Sequence, residues 1–177
     1  MTAIRPTLVL ACVGLLIVTA PAPASAQQFI ATGRDTLRQL PGVELLVEPL
    51  EPEFERAGLT AAALKQTVNA RLRAAGILVY DSQMANPSVA KPFLYVQVSG
   101  LTVEQQGFAL ALQVQLRQTL RSPVTDSNVV NAMTWERQTV VFVPEKDARA
   151  VVPEVETLVA AFVQDWRAAH EPRGNVK

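Results

Sequence analysis

The chain has 177 residues, and its 16 lysine and arginine side chains balance its 16 aspartate and glutamate side chains, so the formal net charge is zero. This balance argues against nucleic acid or an anionic bilayer as an electrostatic partner. Without its N-terminal targeting segment, the length suits one domain that buries about 70% of its unfolded surface.

Residues 1–26 predict a cleaved signal peptide. Arg5 supplies a positive start, residues 8–18 form an almost unbroken apolar run, and residues 24–26 have the small-x-small pattern that signal peptidase cleaves. The apolar run is shorter than the roughly 20 residues that a spanning helix needs, and no later segment rivals it. We expect a periplasmic or secreted chain that begins at Gln27 and has no membrane span; an uncleaved anchor is the alternative.

The only cysteine, Cys12, lies inside this signal. Residues 9–12 loosely resemble a lipobox, but the apolar run continues beyond the cysteine, so we expect no lipidation there. After cleavage the mature chain has no thiol, and therefore no disulfide and no thiolate metal site. Its core alone must hold it together.

A short helical turn at residues 35–40 precedes the first predicted strand, residues 43–50, in which apolar residues alternate with glutamates. The clearest predicted helix begins after Thr60, a capping residue, and ends before Gly76. Its apolar stripe repeats every four residues, at Leu64, Val68 and Leu72.

Two strands are predicted next, a short one at residues 77–80 and a longer one at residues 93–104, with Gly100 as a bulge or bend. The tight turn at residues 105–107 makes the longer strand antiparallel to the strand that follows, residues 108–121.

Residues 108–121 show the clearest alternation in the chain. One parity is apolar and is interrupted only by Gln118, whereas the other becomes steadily more polar toward Arg121. Successive side chains of a strand point to opposite faces, so this pattern predicts a long strand that is covered on one side only. The apolar set is Phe108, Leu110, Leu112, Val114, Leu116 and Leu120.

The last long strand is predicted at residues 131–144. Val141 and Val143 lie on one of its faces, and Val140 and Phe142 lie on the other. Apolar residues on both faces indicate that this end of the strand is covered on both sides or lies at an interface.

A terminal helix over residues 153–170 carries an apolar stripe at three- and four-residue spacing. The element order is therefore β-α-β-β-β-β-α. It predicts an α+β two-layer sandwich, with an antiparallel sheet of about four to five strands covered on one face by two helices. This single domain would span residues 27–171, followed by a flexible tail at residues 172–177.

Residue types that carry catalysis or metal binding are sparse. His170 is the only histidine, and a favourable interaction with the end of the terminal helix is its simplest role. No serine lies in a Gly-x-Ser-x-Gly motif, and no glycine cluster could cradle a phosphate. The sequence therefore predicts no catalytic residue, no cofactor, no metal site and no enzymatic activity.

A cluster of glutamates is interpreted as a solvated acidic connector, because it lacks a calcium-wrapping loop: Glu48, Glu51, Glu53 and Glu55.

The polar parity of residues 108–121 is the candidate binding face. With Gln97 or Ser99 of the preceding strand, it would form a surface of hydrogen-bond donors; the alternative is an ordinary solvent-facing sheet. The candidate residues are Gln97, Gln113, Gln115, Arg117 and Arg121.

Three segments resemble a pattern found in uncharacterised exported bacterial proteins: residues 76–80 (Gly-Ile-Leu-Val-Tyr), residues 93–98 (Phe-Leu-Tyr-Val-Gln-Val) and residues 132–136 (Ala-Met-Thr-Trp-Glu). The topology is similar to that of small envelope modules, namely the lipopolysaccharide-assembly lipoprotein and the amino-terminal domain of TolB. The first differs from this chain in its lipid anchor. The resemblance implies an envelope protein and transfers no functional residue.

These observations favour a non-enzymatic exported protein that acts as an interaction or envelope-assembly module, with an envelope protein or a small ligand as its partner. The alternative is a carrier for a small apolar ligand, and an enzyme is a third possibility. A deep apolar cavity between Val68 or Leu72 and the sheet would favour the carrier, whereas a filled core with an exposed strand edge would favour the module.

Overall fold

The computed structural model describes residues 35–38, 40–122 and 124–171. The predicted signal peptide, residues 27–34 and the predicted tail lie outside the described residues. The strands are β1 (Gly42–Val47), β2 (Leu78–Tyr80), β3 (Phe93–Val103), β4 (Gly107–Arg121) and β5 (Asn128–Pro144). The helices are α1 (Pro52–Arg56), α2 (Ala61–Ala74) and α3 (Val152–His170), with 3-10 turns at Asp35–Leu37 and Ala148–Val151.

The strands form one sheet in the order β2-β1-β3-β4-β5. The predicted α+β class is confirmed, and β3, β4 and β5 are antiparallel neighbours, as the tight turn predicts. The expectation of a wholly antiparallel sheet is wrong for β1, which pairs in parallel with both β2 and β3. The sheet is mixed because α1 and α2 form a crossover that carries the chain back before β2 begins.

The predicted one-sided burial of β4 is confirmed. Its even-numbered side chains from Phe108 to Leu116 are buried, together with the α2 stripe of Leu64, Val68 and Leu72. The α3 side chains Val155, Val159 and Phe162 belong to the same apolar cluster. The core therefore lies between one face of the sheet and the helices, and each fully buried Leu or Phe contributes about 1.5–3 kcal/mol.

Both ends of α2 follow the predicted capping pattern. The Ala63 N–H donates to Oγ1 of Thr60 at 3.1 Å, which satisfies one of the amides at the start of the helix. At the other end Gly76 has φ +84°, and the Ile77 N–H donates to the Leu72 carbonyl at 3.0 Å. A glycine at the C′ position allows this hydrogen bond, because glycine adopts a positive φ without steric cost.

Two local expectations differ from the structure. Gly100 stays in continuous register with β4, so it is not a bulge. A Cβ at this position would clash with the backbone oxygen of Ala109. Glycine is needed here because the backbone of β4 approaches closely. β5 begins at Asn128, three residues earlier than predicted, and the register shifts occur between Leu116 and Arg117 and between Gln118 and Leu120.

In the part of the chain that the structure describes, no helix is long and apolar enough to cross a membrane.

Candidate binding face on the open side of the sheet

The helices cover one side of the sheet, and the opposite side is called the open face here. It carries the odd-numbered side chains of β4 together with those directly opposite on β3 and β5. Tyr95 lies opposite Gln115, and Gln115 lies opposite Glu136. One pair further along, the register aligns three glutamines, Gln97, Gln113 and Gln138. Polar side chains from three strands therefore form one surface, because paired residues share a face.

Gln115 is the centre of this surface and is only 6% exposed. Its Oε1 accepts hydrogen bonds from Arg117 Nε at 2.9 Å and Nη2 at 2.7 Å, and its Nε2 donates to Glu136 Oε1 at 2.7 Å. A guanidinium held by two bonds to one oxygen loses most of its rotational freedom. Arg117 is therefore held in one orientation.

Tyr95 holds Arg117 from the other side. The guanidinium carbon lies 4.8 Å from the centre of the tyrosine ring, within the range of a cation–π contact. Burial raises the pKa of Tyr95, and so do a hydrogen bond to the Glu48 carboxylate and the negative charge of Glu48; the positive charge of Arg117 acts in the opposite direction. The neutral phenol thus links an acidic side chain that follows β1 to the arginine of β4.

Gln113 continues the network across the sheet. Its Nε2 donates to Gln138 Oε1 at 3.2 Å, and its own Oε1 lies 3.4 Å from Gln115 Nε2. We call the connected side chains the polar row. Its members are Glu48, Tyr95, Gln113, Gln115, Arg117, Glu136 and Gln138.

An apolar patch adjoins the polar row at the end of the sheet nearest the β3–β4 turn. Leu101 is 60% exposed, Val140 is 75% exposed and Phe142 is 56% exposed. Ala109 lies between Leu101 and Phe142, and Ala111 lies opposite Val140, so the patch is contiguous across three strands. The first alternative for this end of β5, coverage on both sides, is wrong within the described chain, because Val140 and Phe142 are exposed. The second alternative, an interface, stays a prediction. Exposed contiguous apolar surface of this kind marks interaction sites.

Four of the five candidate residues, Gln97, Gln113, Gln115 and Arg117, lie together on this face. Arg121 does not join them. It lies beyond both register shifts, and its Nε donates to Asp126 Oδ1 at 2.7 Å at the exposed end of β4. The sequence alone does not predict the rest of the polar row: Glu48 is predicted to lie in an acidic connector, and alternation within residues 108–121 gives no information about Tyr95, Glu136 or Gln138. Their proximity to Arg117 depends on strand register.

The other candidate chemistry is dispersed. His170 Nδ1 lies 2.8 Å from the Trp166 carbonyl at the end of α3, and its ring lies 4.1 Å from the Trp166 ring. Among the described residues, no group of three or more His, Cys, Asp or Glu side chains could hold a metal ion. The four glutamates do not act as one group, because the Glu48 carboxylate interacts with the Tyr95 phenol.

The carrier hypothesis needs a deep apolar cavity beside Val68 or Leu72, between the helices and the sheet. Val68 and Leu72 are fully buried and belong to the core cluster. A cleft of about 540 Å³ lies instead between α2 and α3, where Arg71, Val163 and Arg167 are among its lining residues. This cleft has neither Val68 nor Leu72 in its wall.

The fold and this face define an α+β two-layer protein with one side of its sheet open. No protein-family model matches the chain, and no curated protein matches it. Among solved structures the chain is similar to a "putative lipoprotein" from Caulobacter crescentus, at 14% identity and a TM-score of 0.37, covering 79% of this chain and 98% of that one. It is also similar to a minor lipoprotein from Acinetobacter baumannii, at 10% identity and a TM-score of 0.28, covering 71% of this chain and 91% of that one. At these TM-scores the likeness carries no argument about function.

Proposed function

We propose that this chain is an exported, non-enzymatic interaction module of the bacterial envelope, and that a partner protein docks on the open face of its sheet. One observation carries the proposal: the polar row holds Arg117 in a fixed orientation beside an exposed apolar patch. Stable protein interfaces combine an apolar centre with a rim of oriented polar groups, and arginine is enriched in them.

Preorganisation is the reason to assign binding to this face. An arginine that is free in solution must lose side-chain entropy when a partner binds it, at a cost of about 0.5–1.5 kcal/mol per immobilised side chain. Here Gln115 and Tyr95 immobilise Arg117 in the unbound chain.

The chemistry of the face also describes its partner. Val140, Phe142 and Leu101 require apolar side chains opposite them, whereas Arg117 favours a carboxylate or an amide oxygen. Glu48 interacts with Tyr95 and Glu136 with Gln115, the two residues that hold Arg117, so a strongly anionic partner such as nucleic acid is disfavoured. The partner that fits is a protein surface with apolar residues next to an acceptor group.

The experiment compares two charge reversals on the same strand. Wild-type protein, Arg117→Glu and Arg121→Glu are each used to capture proteins from a cross-linked envelope extract, and captured proteins are identified by mass spectrometry. We expect one partner to be captured by the wild type and by Arg121→Glu but lost with Arg117→Glu. Far-UV circular dichroism and a thermal melt verify that each variant is folded.

Equal capture by Arg117→Glu would show that the partner binds elsewhere. A second variant, Phe142→Ser, tests the apolar patch without touching the polar row. If it also captures the partner at the wild-type level, docking on the open face is wrong.

A further inference from the structure

The cleft between α2 and α3 lies on the helix layer, away from the open face. Its volume of about 540 Å³ falls within the range of roughly 300–1,000 Å³ that small-molecule sites occupy. All of its lining residues are exposed or half-exposed, so the cleft opens to solvent. The helices cover the opposite side of the sheet, so a ligand bound here leaves the open face free for a partner.

Small side chains create this cleft. The large apolar side chains of the two helices, such as Leu72 and Phe162, are fully buried in the core. The apolar residues that line the space between the helices are shorter: Ala74, Ala75, Ala160, Val163 and Ala168. They leave the space unfilled and give the cleft an apolar wall, against which the apolar part of a ligand can be removed from water.

Arg71 is the first of two cations in the lining. Its Nη2 lies 3.3 Å from Glu156 Oε2, and its side chain remains 53% exposed. This bond uses one donor of a guanidinium that has several, and exposed ion pairs of this kind are weak. Arg71 therefore has donors left for a ligand in the cleft.

Arg167 is the second cation. Within the part of the chain that the structure describes, its side chain makes no hydrogen bond and no ion pair. Gln164, which lies on α3 three positions earlier, adds an amide to the lining, and Glu171 adds one carboxylate. Two arginines and one glutamate give the lining one net positive charge.

We propose that this cleft binds a small amphiphilic carboxylate, a molecule of the fatty-acid class. The carboxylate accepts hydrogen bonds from Arg167 and Arg71, because a guanidinium matches a carboxylate in charge and geometry. The alkyl chain lies against Val163 and the alanines of the wall.

Charge complementarity selects this class of ligand. A single negative charge matches the net charge of the lining, whereas a neutral amphiphile gives Arg167 no charged acceptor. A polyanion is disfavoured, because Glu171 lines the cleft and Glu156 lies beside Arg71.

Isothermal titration calorimetry of the purified chain with octanoate, decanoate and octanol tests the proposal. Decanoate should bind at one site per chain. It should bind about tenfold more tightly than octanoate, since each buried methylene adds up to about fourfold in affinity. Octanol has the chain of octanoate without its charge, so it should bind at least about tenfold more weakly than octanoate.

Two variants with matched controls locate the site. Arg167→Gln removes a charge from the lining, and Ala160→Leu fills the cleft; each should weaken decanoate binding at least about tenfold. Lys65→Gln and Ala62→Leu make the same kinds of change at exposed positions of α2 outside the cleft, and they should leave binding unchanged. Far-UV circular dichroism verifies that each variant is folded.

The proposal is overturned if decanoate shows no saturable binding up to its solubility limit, or if octanol binds as tightly as octanoate. Equal binding by Arg167→Gln and Lys65→Gln would show that the carboxylate lies elsewhere. Wild-type affinity in Ala160→Leu would show the same for the alkyl chain, and either result discards this site without bearing on the open face.

Discussion

Trp135 on β5 donates a hydrogen bond of 3.0 Å from its indole Nε1 to Oδ2 of Asp165 on α3. Both residues are only 5% exposed, and Arg137 Nη2 contacts the same carboxylate oxygen at 3.2 Å. The Trp135 ring also packs edge-to-face on Phe162, with centroids 5.1 Å apart. A buried carboxylate therefore attaches the edge strand to the helix layer, with two donors to compensate its burial.

Asp165→Ala should lower the free energy of unfolding by about 1–3 kcal/mol, because it leaves the buried indole N–H without its acceptor. Urea denaturation followed by tryptophan fluorescence measures the change. Asp126→Ala is the matched control: its carboxylate pairs with Arg121 at the exposed surface, where solvent screens the pair, so its loss should change the free energy of unfolding much less. Equal losses in the two variants would contradict a structural role for Asp165.

Leu112→Ala and Gln113→Ala test the one-sided burial of β4 at adjacent positions. Leu112 is fully buried, so its truncation should cost about 2–5 kcal/mol, while Gln113 is half-buried on the open face and should cost less than about 1 kcal/mol. Chemical denaturation of both variants gives the comparison. Similar losses at the two positions would mean that a second layer covers the open face.

Thr60→Ala removes the side-chain acceptor at the start of α2 and should destabilise the chain by about 0.5–2 kcal/mol. Thr60→Ser keeps the hydroxyl and should retain most of that stability. Thermal unfolding monitored by circular dichroism at a helical wavelength distinguishes the two variants. If serine and alanine are equally destabilising, the hydroxyl bond to Ala63 makes no contribution.

Tyr95 should ionise above its ordinary pKa of 10.0 in the folded chain, because burial and Glu48 both favour the neutral phenol. The stability that this shift contributes is fully present below the unfolded pKa and is lost as the pH rises through the folded pKa. Alkaline titration of tyrosinate absorbance measures it, with Tyr95→Phe to identify the signal.

Two variants should move the Tyr95 pKa in opposite directions. Glu48→Gln removes a negative charge and should lower the pKa, whereas Arg117→Gln removes a positive charge and should raise it. Shifts of the same sign would contradict the linked arrangement of Glu48, Tyr95 and Arg117.

Much of the candidate site follows from alternation alone. The parity of residues 108–121 separates Leu112 from Gln113 and places Gln113, Gln115 and Arg117 on one face, and the structure brings them together. Parity could not exclude Arg121, because the register shifts near Gln118 arise from pairing with β5. It also could not show that Gln115, a polar residue, is buried by its neighbours on both strands.

The sequence by itself determined the class of fold, the caps of α2 and the two faces of β4, since each of these depends on residues within a few positions of one another. Tertiary structure alone decided the parallel pairing of β1, the contacts of Arg117 with Tyr95 and of Gln115 with Glu136, and the burial of Asp165 beside Trp135. These features join residues about 20 or more positions apart, and their geometry is determined by strand register and helix packing, which local periodicity does not encode.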